Sequence, residues 1–326
     1  MARKIYLLHQ ISVFLKQEWL KKIFSTLLSV AILFLLGRYL YQERQVFSLL
    51  RNINFFNVLL VLFLNWFLLS IIGIINHLIF SQAQSNIPFG IVMCLQYTTK
   101  LFNLLIPNFG ATYRAVYLKQ NYKFSYTSFL STVASFSVIN IFVNSFLGLL
   151  SLIFIYIKYK IIQTSVVLIF GIVFSATAIL LVIKPKIGIF KNQKIFIKIN
   201  NALIGYAKIN KNLPLLLLLI ILTCILFLGS AFRSYFIIHL LNEDVGLLES
   251  FFLSSISSIS HLINITPGGL GIQEGAYLLS SRIIQVPDEI LVLVSLTEKI
   301  LIVITSLFLG VTSYFILEHH SKKKRV

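Results

Sequence analysis

The apolar residues of this chain of 326 residues collect in long runs that short polar or basic stretches separate. Many of the runs approach the ~20 apolar residues that an α-helix needs to cross the hydrocarbon core of a bilayer. The pattern predicts an all-α, polytopic integral membrane helix bundle with about six to eight membrane segments. The predicted segments are 23–41, 55–80, 88–106, 125–157, 161–183, 213–241, 250–265 and 290–317.

Helix-breaking residues interrupt the chain in or next to two of these segments, within "IPNFG" (Ile106–Gly110) and "TPGGLG" (Thr266–Gly271). Proline removes a backbone donor, and glycine permits positive φ. Non-helical backbone at membrane depth requires protein or water around it, because lipid offers no hydrogen-bond partner. We therefore predict two re-entrant hairpins. Their turns contain Pro107, Gly110, Pro267, Gly268, Gly269 and Gly271.

The distribution of charge supports a layout with six full crossings and two hairpins. The formal net charge is +18, and lysines and arginines cluster at the ends of apolar runs. Basic clusters of this kind mark cytoplasmic ends of membrane helices, so nucleic acid is not expected as a partner. The layout brings the basic N-terminus, the linker 184–212 and the C-terminal "KKKR" to one side. We predict a multi-pass protein of the cell membrane with both termini cytoplasmic.

The two interrupted segments also indicate an internal repeat within one transmembrane domain, 1–326. Each half, about 23–157 and 161–317, has three crossings and one hairpin, so the halves have opposite orientation. Aligning Pro107 with Pro267 matches a charged residue seven positions later, Arg114 or Glu274, followed in both cases by a Tyr-Leu pair. Inverted repeats with broken helices in equivalent positions are typical of transporters, which bind substrate near the midplane.

Ionisable residues inside the apolar segments are candidate functional residues, because a charge at membrane depth is costly. Lys100 belongs to a polar stripe at helical spacing before the first break, and Ser254, Ser257, Ser258 and His261 repeat that spacing before the second. The candidate substrate-binding residues are Arg114, Glu274, Lys100, Asn103, Glu298 and Lys299.

Structural alternatives stand beside each of these assignments. Glu274 is also suited to stabilising a helix start, and Arg114 and Lys100 are long enough to extend to the membrane interface. The serine stripe also fits ordinary packing of small residues between helices. The histidines and cysteines lack the spacing of metal ligands, and the sequence lacks the HExxH, GxSxG and P-loop motifs. We therefore predict no metal, no cofactor and no catalytic residue.

The stretches "NLLIPNFGATYRAVYL" and "TPGGLGIQEGAYLL" resemble two signatures of the lysylphosphatidylglycerol synthase transmembrane-region family. These are flippase-like integral membrane proteins related to the N-terminal half of the multiple peptide resistance factor. The resemblance implies a polytopic protein that helps move a lipid, or a lipid-linked head group, between leaflets. The aminoacyl-transferring synthase of full-length relatives is a separate soluble domain, which we do not expect in this chain.

The leading functional hypothesis is a lipid or head-group translocase rather than an aminoacyl transferase. Its partner would be a phospholipid or a polyprenyl-phosphate-linked head group; the sequence does not indicate the oligomeric state. Arg114 and Lys100 would attract the lipid phosphate. Glu274 would contact Arg114 when no substrate is bound, or it would contact a cationic head group. The alternatives are an intramembrane transferase acting on a lipid-linked substrate and a non-catalytic membrane scaffold.

Overall fold

The computed structural model of the protein describes residues 55–82, 86–161, 163–182, 207, 211–241, 245–260 and 271–325. The secondary structure of the described residues is entirely helical, which confirms the all-α prediction. The helices are α1 (Phe55–Gln82), α2 (Phe89–Leu105), α3 (Phe109–Tyr122), α4 (Tyr126–Tyr159), α5 (Thr164–Val182), α6 (Leu213–Leu240), α7 (Leu247–Ser260), α8 (Ile272–Ile284) and α9 (Asp288–Arg325).

Five of the described helices, α1, α4, α5, α6 and α9, are long and apolar enough to cross a membrane. They match five of the six predicted crossings; the remaining one, 23–41, lies outside the described residues. Helix α9 continues to Arg325, beyond the predicted end at residue 317. Its last turns are polar, and Glu318 and Lys322 form an i,i+4 ion pair there, which is typical of a helix leaving the apolar phase.

Helices α2 and α3 form the first hairpin. Helix α2 ends at Leu105, Asn108 adopts left-handed backbone angles, and α3 starts at Phe109. The Gly110 N–H donates to Oδ1 of Asn103 at 2.8 Å. A Cβ at Gly110 would overlap the carbonyl oxygen of Thr99, so only glycine lets α3 start this close to α2. The structure thus confirms a chain break at the predicted position.

Helices α7 and α8 form the equivalent pair in the second half and pack against each other. The connecting residues 261–270, which include Pro267, Gly268 and Gly269, lie outside the described residues. With 14 and 13 residues, the two helices are only about 20 Å long at ~1.5 Å per residue, shorter than the ~30 Å hydrocarbon core. Gly271 precedes α8 with a positive φ of 83°, and its N–H donates to the carboxylate of Glu274.

The two halves repeat the same series of elements in opposite orientation. A long helix, a hairpin and a second long helix occur as α1 to α4 and again as α6 to α9; α1 and α6 both have 28 residues. In the contact between them, Asn65 meets Arg233 whereas Leu68 meets Gly229. Residue numbers therefore rise along α1 as they fall along α6, so these equivalent helices are antiparallel, as an inverted repeat requires.

Each hairpin packs against the last long helix of the other half. Helix α2 packs against α9, and α7 packs against α4. Glycine allows both close contacts: Gly310 of α9 lies against Leu101, and Gly148 of α4 lies next to Ser255. Small residues permit close approach of membrane helices where lipid is as apolar as the side chains. The two halves are thereby interlocked.

The buried and exposed sides of the long helices differ in composition. Apolar clusters fill the contacts among α4, α6, α7, α8 and α9 and around the first hairpin. Large apolar side chains are exposed on the outer faces, for example Phe63, Leu218 and Phe308. A helix that exposes such residues suits a lipid environment. Helix α5 is the clearest case among the described helices, because it packs mainly against α4 and buries only Phe170 and Thr177.

Lys123 lies just before α4, and Asp288 is the first residue of the equivalent helix α9. The inverted repeat predicts that these two residues face opposite sides of the membrane. Both side chains are exposed. In a background with Cys94→Ala and Cys224→Ala, Lys123→Cys and Asp288→Cys should each react with a membrane-impermeant maleimide from one side only, and from different sides. Labelling of both positions from the same side would contradict the inverted arrangement.

Candidate functional site

A cavity of about 220 Å³, lined by both polar and apolar side chains, lies between the two hairpins. It is lined by α1, α2 and α4 of the first half and by the equivalent α6, α7 and α9 of the second. Its polar lining residues are Asn65, Lys100, Asn140, Asn144, Ser230, Arg233, Ser257, Ser258 and Thr305. A polar space bounded by both repeats is where transporters with inverted repeats place their substrate site.

The two charged residues in this lining are both cationic, Lys100 of α2 and Arg233 of α6. Arg233 donates through Nη1 to Oδ1 of Asn65 at 3.2 Å and through Nη2 to the hydroxyl of Ser230 at 3.4 Å. Its Nε lies 3.9 Å from Oε1 of Glu298. That carboxylate lies behind the arginine and does not line the cavity.

Glu298 of α9 is completely buried and accepts hydrogen bonds from two other helices. Ser234 of α6 donates to Oε1 at 2.6 Å, and Gln273 and Tyr277 of α8 donate to Oε2 at 2.8 and 3.1 Å. A buried carboxylate is tolerated when it is paired and hydrogen-bonded. Glu298 thus connects α6, α8 and α9 inside the second half.

Glu274 forms an ion pair with Lys299, the neighbour of Glu298 on α9. Its other carboxylate oxygen accepts the Gly271 N–H at 2.7 Å, at the start of α8 where the helix dipole favours a negative charge. The expected contact between Glu274 and Arg114 is therefore wrong in this structure. The reason is that α8 packs against α9, which presents a cation within its own half.

Arg114 lies within the first half and is buried, with 9% of its surface exposed. It donates through Nη1 to Oε1 of Gln96 at 3.2 Å, and its guanidinium lies 5.4 Å from the ring centre of Phe129. Gln96 also accepts from Asn76 at 3.1 Å. Arg114 is thus held inside the protein, and it does not line the central cavity.

The polar stripe of α2 divides into two roles. Asn103 and Thr99 bond the backbone of Gly110 and hold the turn of the hairpin, and Gln96 holds Arg114. Of these four stripe residues, Gln96, Thr99, Lys100 and Asn103, Lys100 is the one that lines the cavity. In the second stripe, Ser257 and Ser258 line the cavity, whereas His261 lies outside the described residues.

Arg233 is the cavity residue that the sequence analysis missed. It is the one residue among Asp, Glu, Lys and Arg within the run 213–241, so the cost of an intramembrane charge should have marked it as functional. The asparagines Asn65, Asn140 and Asn144 carry a weaker signal, since amides within membrane helices also bond neighbouring helices without binding substrate.

The fold and the cavity define a polytopic helical membrane protein in which both halves of an inverted repeat line a central space with polar side chains. The chain matches the family model described as "Lysylphosphatidylglycerol synthase TM region" over residues 22–310, and it belongs to that family. No curated protein and no solved structure matches it. Within the described ranges, no group of His, Cys, Asp and Glu side chains is arranged to hold a metal ion.

The hydrogen bonds of Glu298 predict a large loss of stability when its charge is removed. Removing one partner of a buried ion pair costs about 3–5 kcal/mol, because the other charge is left uncompensated. Glu298→Gln should lower the thermal unfolding midpoint of the detergent-solubilised protein. The matched control is Glu318→Gln, which removes an exposed ion pair with Lys322 at the end of the same helix. Equal midpoints for the two variants would contradict the role assigned to Glu298.

Proposed function

We propose that the protein moves the polar head group of a membrane lipid between the two leaflets. The observation that supports this proposal is the cavity itself, to which both halves of the repeat contribute polar side chains within apolar helices. Membership of the lysylphosphatidylglycerol synthase TM region family agrees with a role in lipid biology. The partner would be a phospholipid or a lipid with a phosphate-linked head group.

The barrier to unassisted movement of a lipid is the cost of taking a polar head group through hydrocarbon. Polar and charged groups lose several kcal/mol when they leave water without new partners. The amides, hydroxyls and cations of the cavity would supply such partners to a head group on its path between the two leaflets. The acyl chains need no protein partner and would remain in the surrounding lipid while the head group passes.

The repeat offers a physical basis for access from both sides. In transporters with inverted repeats, the two halves take equivalent positions with respect to opposite faces of the membrane and move around a central site. The hairpins α2–α3 and α7–α8 would open the cavity in turn to one leaflet and then to the other. The proposal retains the cell membrane as location and the cytoplasm as the side of both termini, which the basic clusters support.

Filling the cavity should block movement of any head group. Thr305 of α9 lines the cavity, whereas Thr312 of the same helix is exposed on the outer surface. Each hydroxyl bonds a carbonyl of its own helix, Leu301 for Thr305 and Phe308 for Thr312. The substitutions Thr305→Phe and Thr312→Phe are therefore matched in chemistry and differ in position.

The measurement is translocation of a fluorescent phospholipid in proteoliposomes, followed by quenching of the outer-leaflet probe. Thr305→Phe should slow translocation by roughly tenfold or more, equivalent to about 1.4 kcal/mol in the barrier, whereas Thr312→Phe should match the unsubstituted protein. Thermal unfolding checks that both variants fold. Equal rates for the variants would contradict passage through the cavity, and a chemically altered lipid would support the transferase alternative.

A further inference from the structure

We propose that Lys158, Tyr159 and Glu249 form an ionic gate, which closes one end of the cavity and must separate before the cavity opens to that face of the membrane. The ionic gate joins the last turn of α4 to the first turn of α7, so it connects one half of the repeat to the hairpin of the other. The inference rests on the proposed function for the molecule that passes, but the gate itself is argued from contacts and burial.

The carboxylate of Glu249 is the centre of the ionic gate. Its Oε1 accepts hydrogen bonds from Nζ of Lys158 and from the hydroxyl of Tyr159, both at 2.6 Å. Hydrogen bonds to an ionised carboxylate are about twice as strong as those between neutral groups. Nζ of Lys158 also lies 4.8 Å from the ring centre of Tyr159, so the three side chains form one connected unit.

The two charges of the ionic gate differ in burial. The side chain of Glu249 is 1% exposed, whereas that of Lys158 is 49% exposed. Gly246, just before α7, leaves room for the carboxylate, because a Cβ at this position would overlap Oε2 of Glu249. A buried carboxylate that loses its partner is costly, so the contact favours the position in which α7 lies against α4. Once the two helix ends separate, water can hydrate both charges, which makes the contact reversible.

The ionic gate lies at the end of a helix contact that leads to the cavity. From the gate, the contact between α4 and α7 continues at Gly148 and Ser255. Both helices then line the cavity, through Asn144 and Ser258. From Glu249 to Ser258 the distance along α7 is about 14 Å at ~1.5 Å per residue. Separation of α4 from α7 at the gate would therefore open a path into the cavity.

The equivalent contact in the repeat, between α9 and α2, has a different chemistry at its end. Beyond Gly310 and Leu101, the end of α9 meets α3, where the hydroxyl of Tyr117 donates to the carbonyl of Leu317 at 3.3 Å. Nδ1 of His320 lies 3.2 Å from the same hydroxyl. Helices α4 and α9 end on opposite faces in an inverted repeat, so the ionic gate and this tyrosine contact close opposite ends. Removing the charge of the ionic gate should therefore open one face and not the other.

The ionic gate is tested by the accessibility of the cavity, without any added lipid. The reporter is Ser258→Cys, in a background with Cys94→Ala and Cys224→Ala, in right-side-out and inside-out membrane vesicles. The rate of labelling by a membrane-impermeant maleimide is measured from each face. From the face where α4 ends, we expect Glu249→Gln to raise this rate roughly tenfold, because a minor open state populated at about 0.1–10% leaves room for such a shift. Labelling from the other face should not rise.

Further variants distinguish a gate from general loosening of the fold. Lys158→Arg keeps the ion pair and should keep the cavity closed. Adding Lys158→Gln to Glu249→Gln should not raise labelling further, because both changes remove the same contact. Tyr159→Phe removes one hydroxyl and should raise labelling by less than Glu249→Gln. The matched control is Asp288→Asn, which removes an exposed carboxylate on the same face and should leave labelling unchanged.

Thermal unfolding establishes that each variant is folded. If Glu249→Gln does not fold, Tyr159→Phe provides the test, and unchanged labelling in that variant would overturn the ionic gate. An equal rise in Asp288→Asn and Glu249→Gln would also overturn it, because the effect would then not depend on the ion pair.

The possible results separate the ionic gate from the transport function. Equal labelling of folded Glu249→Gln and the unsubstituted protein would overturn the gate, while movement of a fluorescent phospholipid in proteoliposomes would still support the translocase proposal. Faster labelling of Glu249→Gln, without movement of the phospholipid by the unsubstituted protein or any variant, would support the gate and overturn the translocase proposal.

Discussion

A backbone that breaks inside a bilayer must be covered by protein, and this requirement determines the architecture. Lipid cannot satisfy the N–H and C=O groups that a turn releases. In this protein each half covers the other half's hairpin: α9 packs against α2, and α4 packs against α7. Neither hairpin would be enclosed by its own half alone. The cavity lies between these two hairpins. The packing of α9 on α2 and of α4 on α7 therefore covers the hairpins and also forms the walls of the cavity.

The parts of the fold that follow from local sequence were predictable. Runs of about 20 apolar residues and a Pro-Asn-Phe-Gly turn are local signals, and the structure has five of the predicted spans and the first break where expected. Side-chain pairing is not a local property. From the sequence, Glu274 could pair with any of several cations. The packing of α8 on α9 places Lys299, and not Arg114, next to its carboxylate. Arg233 could have been predicted, since its charge interrupts an apolar run.

The repeat is symmetric in its helices but not in its charges. The second half contains both Glu274 and Glu298, which compensate Lys299 and contact Arg233. In the first half, Arg114 contacts two neutral groups, the amide of Gln96 and the ring of Phe129, and Lys100 lines the cavity. These six residues comprise four cations and two carboxylates. Equivalent positions of an inverted repeat thus have the same backbone geometry but different side chains. Because the charged lining residues are the cations Lys100 and Arg233, the central cavity is positively charged.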